Sequence, residues 1–208
     1  MRNVLAITSS PMAEGSVSNE LVQHFVEQYV SAGNVAHVVR RDVGITPPPH
    51  LDASTIGAFY TPTEQADAST RERLAISDAL VDELEAAEVI VIGAPMHNFG
   101  ITSGLKSWVD HVARVGRTFT YTENGPKGLL DGQGKKVYVL TSRGGRYAKG
   151  TPTESLDLQT PYLKTVLGFI GLTDVTFISA EGVAGGRDGI DMAVSSINET
   201  IEELSEAA

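Results

Sequence analysis

The sequence predicts an α/β protein: a five-stranded parallel sheet of order 2-1-3-4-5 with helices on both faces. Three observations carry this expectation. Short apolar runs without polar alternation recur along the chain, as strands buried on both faces require. Each run is followed by helical apolar spacing, so strands and helices alternate and the sheet must be parallel. Five such strands favour the five-stranded doubly wound order over the six-stranded dinucleotide-binding one.

The first strand is Val4–Thr8. A polar loop leads to a helix over Asn19–Ala32, where Leu21, Val22, Phe25, Val26, Tyr29 and Val30 form one face, Ser18 is placed to cap and Gly33 to stop. Val35–Val39 is the second strand. Pro47-Pro48-Pro49 breaks regular structure, and a long connection runs to Ser69; loops of that length are usually functional or mobile. Helical spacing returns in Glu72–Ala87. Val89–Ala94 is the clearest buried strand, and Thr102–Val115 is helical through Leu105, Trp108, Val109 and Val112. The stretch Arg117–Lys136 is rich in turn signals such as Asn124-Gly125-Pro126 and Asp131-Gly132. Val137–Thr141 is the fourth strand. A helix near Pro161–Phe169 has Thr160 as cap and Pro161 in its first turn. Val175–Ala180 is the fifth strand, and a last helix carries Ile190, Ala193, Val194, Ile197, Ile201 and Leu204. No linker or repeat divides the chain, so residues 1–208 read as one domain.

Composition narrows the function classes. The chain has 208 residues, 41% hydrophobic and 20% charged, with no Cys. Disulfides, thiolate metal ligands, iron–sulfur clusters and cysteine nucleophiles are therefore excluded. Sixteen basic and twenty-six acidic residues give a net charge of −10, which repels phosphate backbones and anionic headgroups, so neither nucleic acid nor a membrane is the expected partner. The N-terminal apolar run is too short for a secretory signal, and no segment approaches the roughly 20 apolar residues of a spanning helix. The expected compartment is the cytoplasm. His24, His37, His50, His97 and His111 show no metal-site spacing, and no G-x-S-x-G occurs, so no metal ligand and no serine nucleophile is expected. Trp108 lies on an apolar stripe, and the acidic run Glu199–Glu206 reads as a solvated helix face.

In doubly wound sheets the ligand sits outside the carboxyl ends of the strands, at the switch point between the first and third. The loops after strands one, three and four are therefore the ones to read. The first, Ser9 to Ser18, lacks both G-x-G-x-x-G and the P-loop pattern. It brings hydroxyls and a helix N-terminus to one point, which suits a single phosphate monoester, although Ser16 and Ser18 could also be helix caps alone. The third-strand loop, Pro95-Met96-His97-Asn98-Phe99-Gly100, offers apolar and aromatic groups and one amide to a planar heterocycle, or else simply covers the sheet end. In the fourth-strand loop, Ser142-Arg143-Gly144-Gly145, two glycines let backbone N–H groups approach a ligand closely, or form an ordinary turn. A monophosphate site, an aromatic slot and a donor loop together describe FMN better than FAD or a nucleoside triphosphate.

Longer strings make the likeness specific: Ala94-Pro95-Met96-His97-Asn98-Phe99, Phe119-Thr120-Tyr121-Thr122-Glu123-Asn124-Gly125-Pro126, Thr141-Ser142-Arg143-Gly144-Gly145, Thr160-Pro161-Tyr162-Leu163 and Leu167-Gly168-Phe169-Ile170-Gly171. On these and the first loop, from Met1 to about Gly182, the chain resembles the FMN-dependent NADH:quinone oxidoreductase and azoreductase family, which has the flavodoxin-like fold, a three-layer sandwich. The family pattern has Tyr where this chain has His97, and the stretch from Arg146 to Thr160 is longer here. The resemblance implies that Ser10, Ser16, Val17 and Ser18 hold the FMN phosphate, and that Met96, His97, Asn98, Phe99, Ser142, Arg143, Gly144 and Gly145 hold the isoalloxazine ring. It implies a homodimer with the flavin near the interface, and Tyr121 and Phe169 lining the substrate cavity. It also implies ping-pong turnover, with NADH or NADPH as hydride donor and a quinone or azo compound as acceptor. The flavin then carries the chemistry, and no side chain is expected to be catalytic. A flavodoxin-type electron carrier that docks to protein partners is the alternative. The long connection and the Arg117–Lys136 segment exceed what a minimal carrier needs.

Overall fold

Five strands pair in parallel in the computed structural model, in the order β2-β1-β3-β6-β7. The structure describes residues 2–33, 35–61 and 63–206; Met1, Asn34, Pro62, Ala207 and Ala208 lie outside the described residues. Along the chain come β1 (Arg2–Thr8), α1 (Val17–Ser31), β2 (Val35–Asp42), α2 (Ala53–Phe59), α3 (Ala68–Ala86), β3 (Val89–Pro95), α4 (Ser103–Val112), β4 (Phe119–Thr122), β5 (Gly125–Gly128), β6 (Lys136–Arg143), α5 (Gln159–Phe169), β7 (Val175–Glu181) and α6 (Asp188–Glu206). With the antiparallel β4–β5 hairpin set aside, the sheet has the expected 2-1-3-4-5 order.

Alternate residues of each strand go into different cores, as the period-2 geometry of a strand dictates. Leu5, Ile7, Ile90, Ile92, Val137 and Val139 pack with Leu80 and Leu84 of α3, Leu105 and Trp108 of α4, and Leu163 and Leu167 of α5. Val4, Ala6, Val89, Val91, Tyr138 and Leu140 pack with Leu21 and Phe25 of α1 and with Ile190 and Ile197 of α6. Each fully buried side chain of this kind stabilises the fold by about 1.5–3 kcal/mol.

Register places the rim on which the site is expected. Thr8 lies opposite Gly93, Pro95 opposite Ser142, and Arg143 opposite Glu181. The carboxyl ends of β1, β3, β6 and β7 thus line up along one side of the sheet. Gly93 also lets α1 approach: a Cβ there would lie 2.7 Å from Val22 Cγ2 and 3.0 Å from the Ser18 carbonyl oxygen.

Strands run one to three residues beyond the sequence reading, and the helices depart from it for local reasons. Helix α1 starts at Val17 because Ser16, not Ser18, is its N-cap; Ser16 Oγ accepts from Asn19 N–H at 3.4 Å. The connection after Pro47-Pro48-Pro49 contains α2 and a short 3-10 turn. Asp52 caps α2, accepting from Thr55 N–H and the Ser54 hydroxyl, and these bonds hold its carboxyl down at about 2. Helix α3 begins at Ala68 because Asp67 caps it through Thr70 N–H at 2.7 Å. Helix α4 stops at Val112, whose carbonyl accepts from the Thr118 hydroxyl. At α5 the capping side chain is Asp157 rather than Thr160: its carboxylate accepts from the N–H groups of Gln159 and Thr160, each at 3.0 Å.

Candidate active site

The rim begins with the loop between β1 and α1. Ser9, Ser10, Ser16 and Ser18 are all buried. Ser9 donates to the Gly93 carbonyl at 2.7 Å, tying the loop to β3. Ser10 Oγ accepts from Met12 N–H at 3.2 Å. The Ser16 and Ser18 hydroxyls lie 3.3 Å apart at the start of α1. The N–H groups of Val17 and Ser18 belong to the first turn, which a helix cannot satisfy from within. The positive end of the helix dipole is there too. Of the expected phosphate ligands, Ser16, Val17 and Ser18 are consecutive residues at one helix start, and Ser10 sits at the other end of the same loop.

After β3 the chain makes a tight turn. His97 N–H donates to the Gly100 carbonyl at 3.0 Å and Gly100 N–H returns to the His97 carbonyl at 2.9 Å. The two central residues, Asn98 and Phe99, have φ of 47° and 69°. Positive φ at both central positions is the signature of a type I′ turn, which favours Asn and Gly. Asn tolerates it; for Phe the left-handed region costs about 1–2 kcal/mol. Outliers of this kind persist where surrounding structure enforces them, and they cluster at ligand sites. Here Leu158 N–H donates to the Phe99 carbonyl at 3.1 Å. The Phe99 ring, 43% exposed, meets Tyr147 edge to face at 6.3 Å. Met96 is half-buried, while His97 and Asn98 are exposed.

The loop after β6 is held from behind. Gly144 and Gly145 are exposed, and their carbonyls accept from Ala184 and Gly182 N–H. The Arg143 side chain points the other way. It is 3% exposed and reaches Glu181 at 3.0 Å, Asp157 at 3.1 Å, the Thr160 hydroxyl at 2.6 Å and Gln159 Oε1 at 3.3 Å. Gln159, fully buried, donates from Nε2 to the Ala94 carbonyl at 3.0 Å. One network therefore joins the ends of β3, β6 and β7 to the start of α5. Burial pushes the Asp157 carboxyl up, but its bonds from Thr160, the Arg143 charge and the Gln159 N–H together hold it below the ordinary carboxylate range. Only the Arg143 backbone is thereby left to face a ligand on the rim. Gln159, Asp157 and Glu181 have no local sequence signature as rim residues; Asp157 alone is legible, as a capping residue two positions before a helix.

Tyr121 and Phe169 meet through a third ring. Phe119 lies 5.5 Å from Tyr121 and 4.4 Å from Phe169. Tyr121 stands on the hairpin and is 64% exposed, whereas Phe169 ends α5 and is half-buried. The hairpin is seated on the turn after α5. Leu130 N–H donates to the Ile170 carbonyl at 3.1 Å, and a Cβ on Gly128 would lie 2.2 Å from Gly171 N. The structure thus gathers the expected site residues in two groups, the three rim loops and this aromatic cluster. Among the described residues no group of three or more His, Asp and Glu could hold a metal ion.

Comparison with known proteins places this geometry. Residues 2–205 match a family described as having the flavodoxin-like fold. An FMN-dependent NADH:quinone oxidoreductase of Herminiimonas arsenicoxydans is 50% identical over 204 residues, covering 98% of each chain. Another protein of that name from Burkholderia lata is 49% identical, covering 97% of this chain and 98% of its own. Among solved structures, an FMN-dependent NADH-azoreductase from Bacillus anthracis in complex with FMN superposes with a TM-score of 0.87 at 25% identity, covering 99% of this chain and 100% of that one. The chain belongs to the flavodoxin-like family of FMN-dependent NADH:quinone oxidoreductases and azoreductases.

Proposed function

We propose that this protein is an FMN-dependent NADH oxidoreductase acting on quinones and aromatic azo compounds, with turnover by a ping-pong sequence. The observation that carries the site assignment is the convergence at one rim of a helix start with paired serine hydroxyls, an aromatic turn held at positive φ, and an exposed Gly-Gly backbone. These residues fit FMN. Unsatisfied N–H groups and the hydroxyls of Ser10, Ser16 and Ser18 suit a phosphate dianion, with the Val17 N–H completing the set. Met96, His97, Asn98 and Phe99 present apolar and amide groups to one edge and face of a ring. Ser142, the Arg143 backbone, Gly144 and Gly145 bring N–H donors to the other side, where they would stabilise negative charge that develops on reduction. Bound there, the flavin supplies two-electron carrier chemistry between NADH or NADPH and the acceptor. The protein's part is to bind, orient and exclude water, and no side chain on the rim is assigned as an acid or base.

Finer features belong to the same reading. Exposure of Tyr121, Phe99, Met12 and Tyr60 supports a homodimer in which the aromatic cluster around Tyr121 and Phe169 walls a flavin site near the interface. The two separate cores support helices on both faces of the sheet, and the match over residues 2–205 supports one domain. Among the described residues no helix is long and apolar enough to cross a membrane; the expected compartment is the cytoplasm.

Anaerobic addition of NADH to the FMN-loaded protein tests the activity. Rapid direct bleaching of flavin absorbance, reversed by a quinone, is the expected result. Bleaching only after a separate reductase is added would restore the electron-carrier alternative.

A further inference from the structure

Strand β7 is an edge strand, with β6 on one side and, among the described residues, no strand on the other. Along its free side, between α5 and α6 and beneath the segment 146–154, lies a cavity of about 770 Å³. That volume is in the range of sites for drug-sized organic ligands. Phe177 of β7, Pro161 of α5 and Met192 of α6 supply apolar walls. Arg146, Lys149 and Lys164 stand around it, with the Lys164 ammonium 5.5 Å from the centre of the Phe177 ring.

The charges of this cavity are unequal in how far they are satisfied. Four carboxylates line it, and three already have partners. Glu181 accepts from Arg143 and from the N–H groups of Tyr147 and Ala148. Asp157 accepts from Arg143 and caps α5. Glu154 accepts from Gly150 N–H at 2.7 Å. The fourth, Asp188, lies in the first turn of α6, where a helix favours an anion. By contrast, among the described residues no ion pair engages Arg146, Lys149 or Lys164. Three unpaired cations therefore face an apolar pocket whose own acids are largely committed.

We propose that this cavity is a second ligand site, separate from the FMN cradle, for an aromatic carboxylate. The flat apolar body lies against Phe177, Pro161 and Met192, and the carboxylate is met by Lys149, Lys164 and Arg146. The Arg143 side chain also lines this cavity but is committed to Glu181 and Asp157, and none of the three free cations belongs to the rim loops.

The test uses FMN-saturated protein without NADH, titrated by calorimetry with 2-naphthoate and, in parallel, with neutral 2-naphthamide. Binding of one naphthoate per chain is expected, at least tenfold tighter than the amide, and it persists with 2-methyl-1,4-naphthoquinone at saturation. The exposed double substitution Lys149→Glu/Lys164→Glu should weaken naphthoate at least tenfold while FMN content and melting temperature stay unchanged. Absence of binding, equal affinity for the amide, displacement by the quinone, or unchanged affinity in a folded double variant would each overturn the proposal. Failure of the protein to retain FMN would instead count against the cofactor assignment, so the two readings fail separately.

Discussion

The loop after β1 and the loops after β3 and β6 meet at one rim but are built by different means. The first is local: Ser16 caps the helix it precedes, Ser18 lies two residues on, and the donors follow from where α1 begins. The other two are tertiary. The Asn98-Phe99 turn and the Gly144-Gly145 backbone depend on residues distant in sequence: Leu158 donates to the Phe99 carbonyl, and Gln159, Asp157 and Glu181 converge on Arg143 and the Ala94 carbonyl. A phosphate asks only for charge and donors, which one helix start can supply. A planar ring asks for several strand ends at fixed relative heights, which needs a buried network behind them.

The largest effect should come from breaking that network. Arg143→Met leaves Asp157 and Glu181 without their shared cation, and loss of one partner of a buried ion pair costs about 3–5 kcal/mol. Urea denaturation should show that loss. Affinity for FMN and for riboflavin should fall together, because the ring end is what moves. Retained riboflavin affinity would mean that Arg143 serves stability alone.

The local half is tested by Ser16→Ala/Ser18→Ala. Two hydroxyls near a dianion are removed, at about 1.5–3 kcal/mol for each charge-assisted bond. FMN affinity should fall at least tenfold while riboflavin, which has no phosphate, is unaffected. Stability should drop by only about 1 kcal/mol, for the lost cap. Equal weakening of both flavins would sink the division of labour between the loops.

The smallest effect is expected at the turn. Phe99→Gly removes a side chain from the left-handed region and should stabilise the protein by up to about 1 kcal/mol, a rise of about 2–4 °C in Tm. Quinone turnover should fall because the ring's apolar face is gone. A lower Tm would show that the Phe99–Tyr147 contact outweighs the backbone strain.

The same contrast explains what the sequence makes legible. Buried runs such as Val89–Ala94 and the apolar faces of α1, α4 and α6 announce the sheet and its order, because burial leaves a periodic trace. The three rim loops are legible from their residue types. Helix α2 is hidden behind three prolines, although Asp52 marks its start. The hairpin is hidden by the Asn124-Gly125-Pro126 string, which reads as turn alone. The two strands beside it are four residues each, too short for alternation to register. Arg143 reads as a loop donor because it precedes two glycines; that its side chain turns inward depends on Glu181 opposite it in the register, a pairing no local pattern records.

The seating of the β4–β5 hairpin on the turn after α5 has a bearing on how specificity can change. Gly128 and Gly171 touch backbone to backbone, and Phe119 bridges Tyr121 to Phe169. A graft of residues 119–128 from a relative, without residues 169–171, would bring a foreign side chain against a neighbour with no room to yield. Exchanged together, the two segments carry their own fit. The aromatic cluster and its seat form one packing unit, and recombination between relatives should respect its two borders.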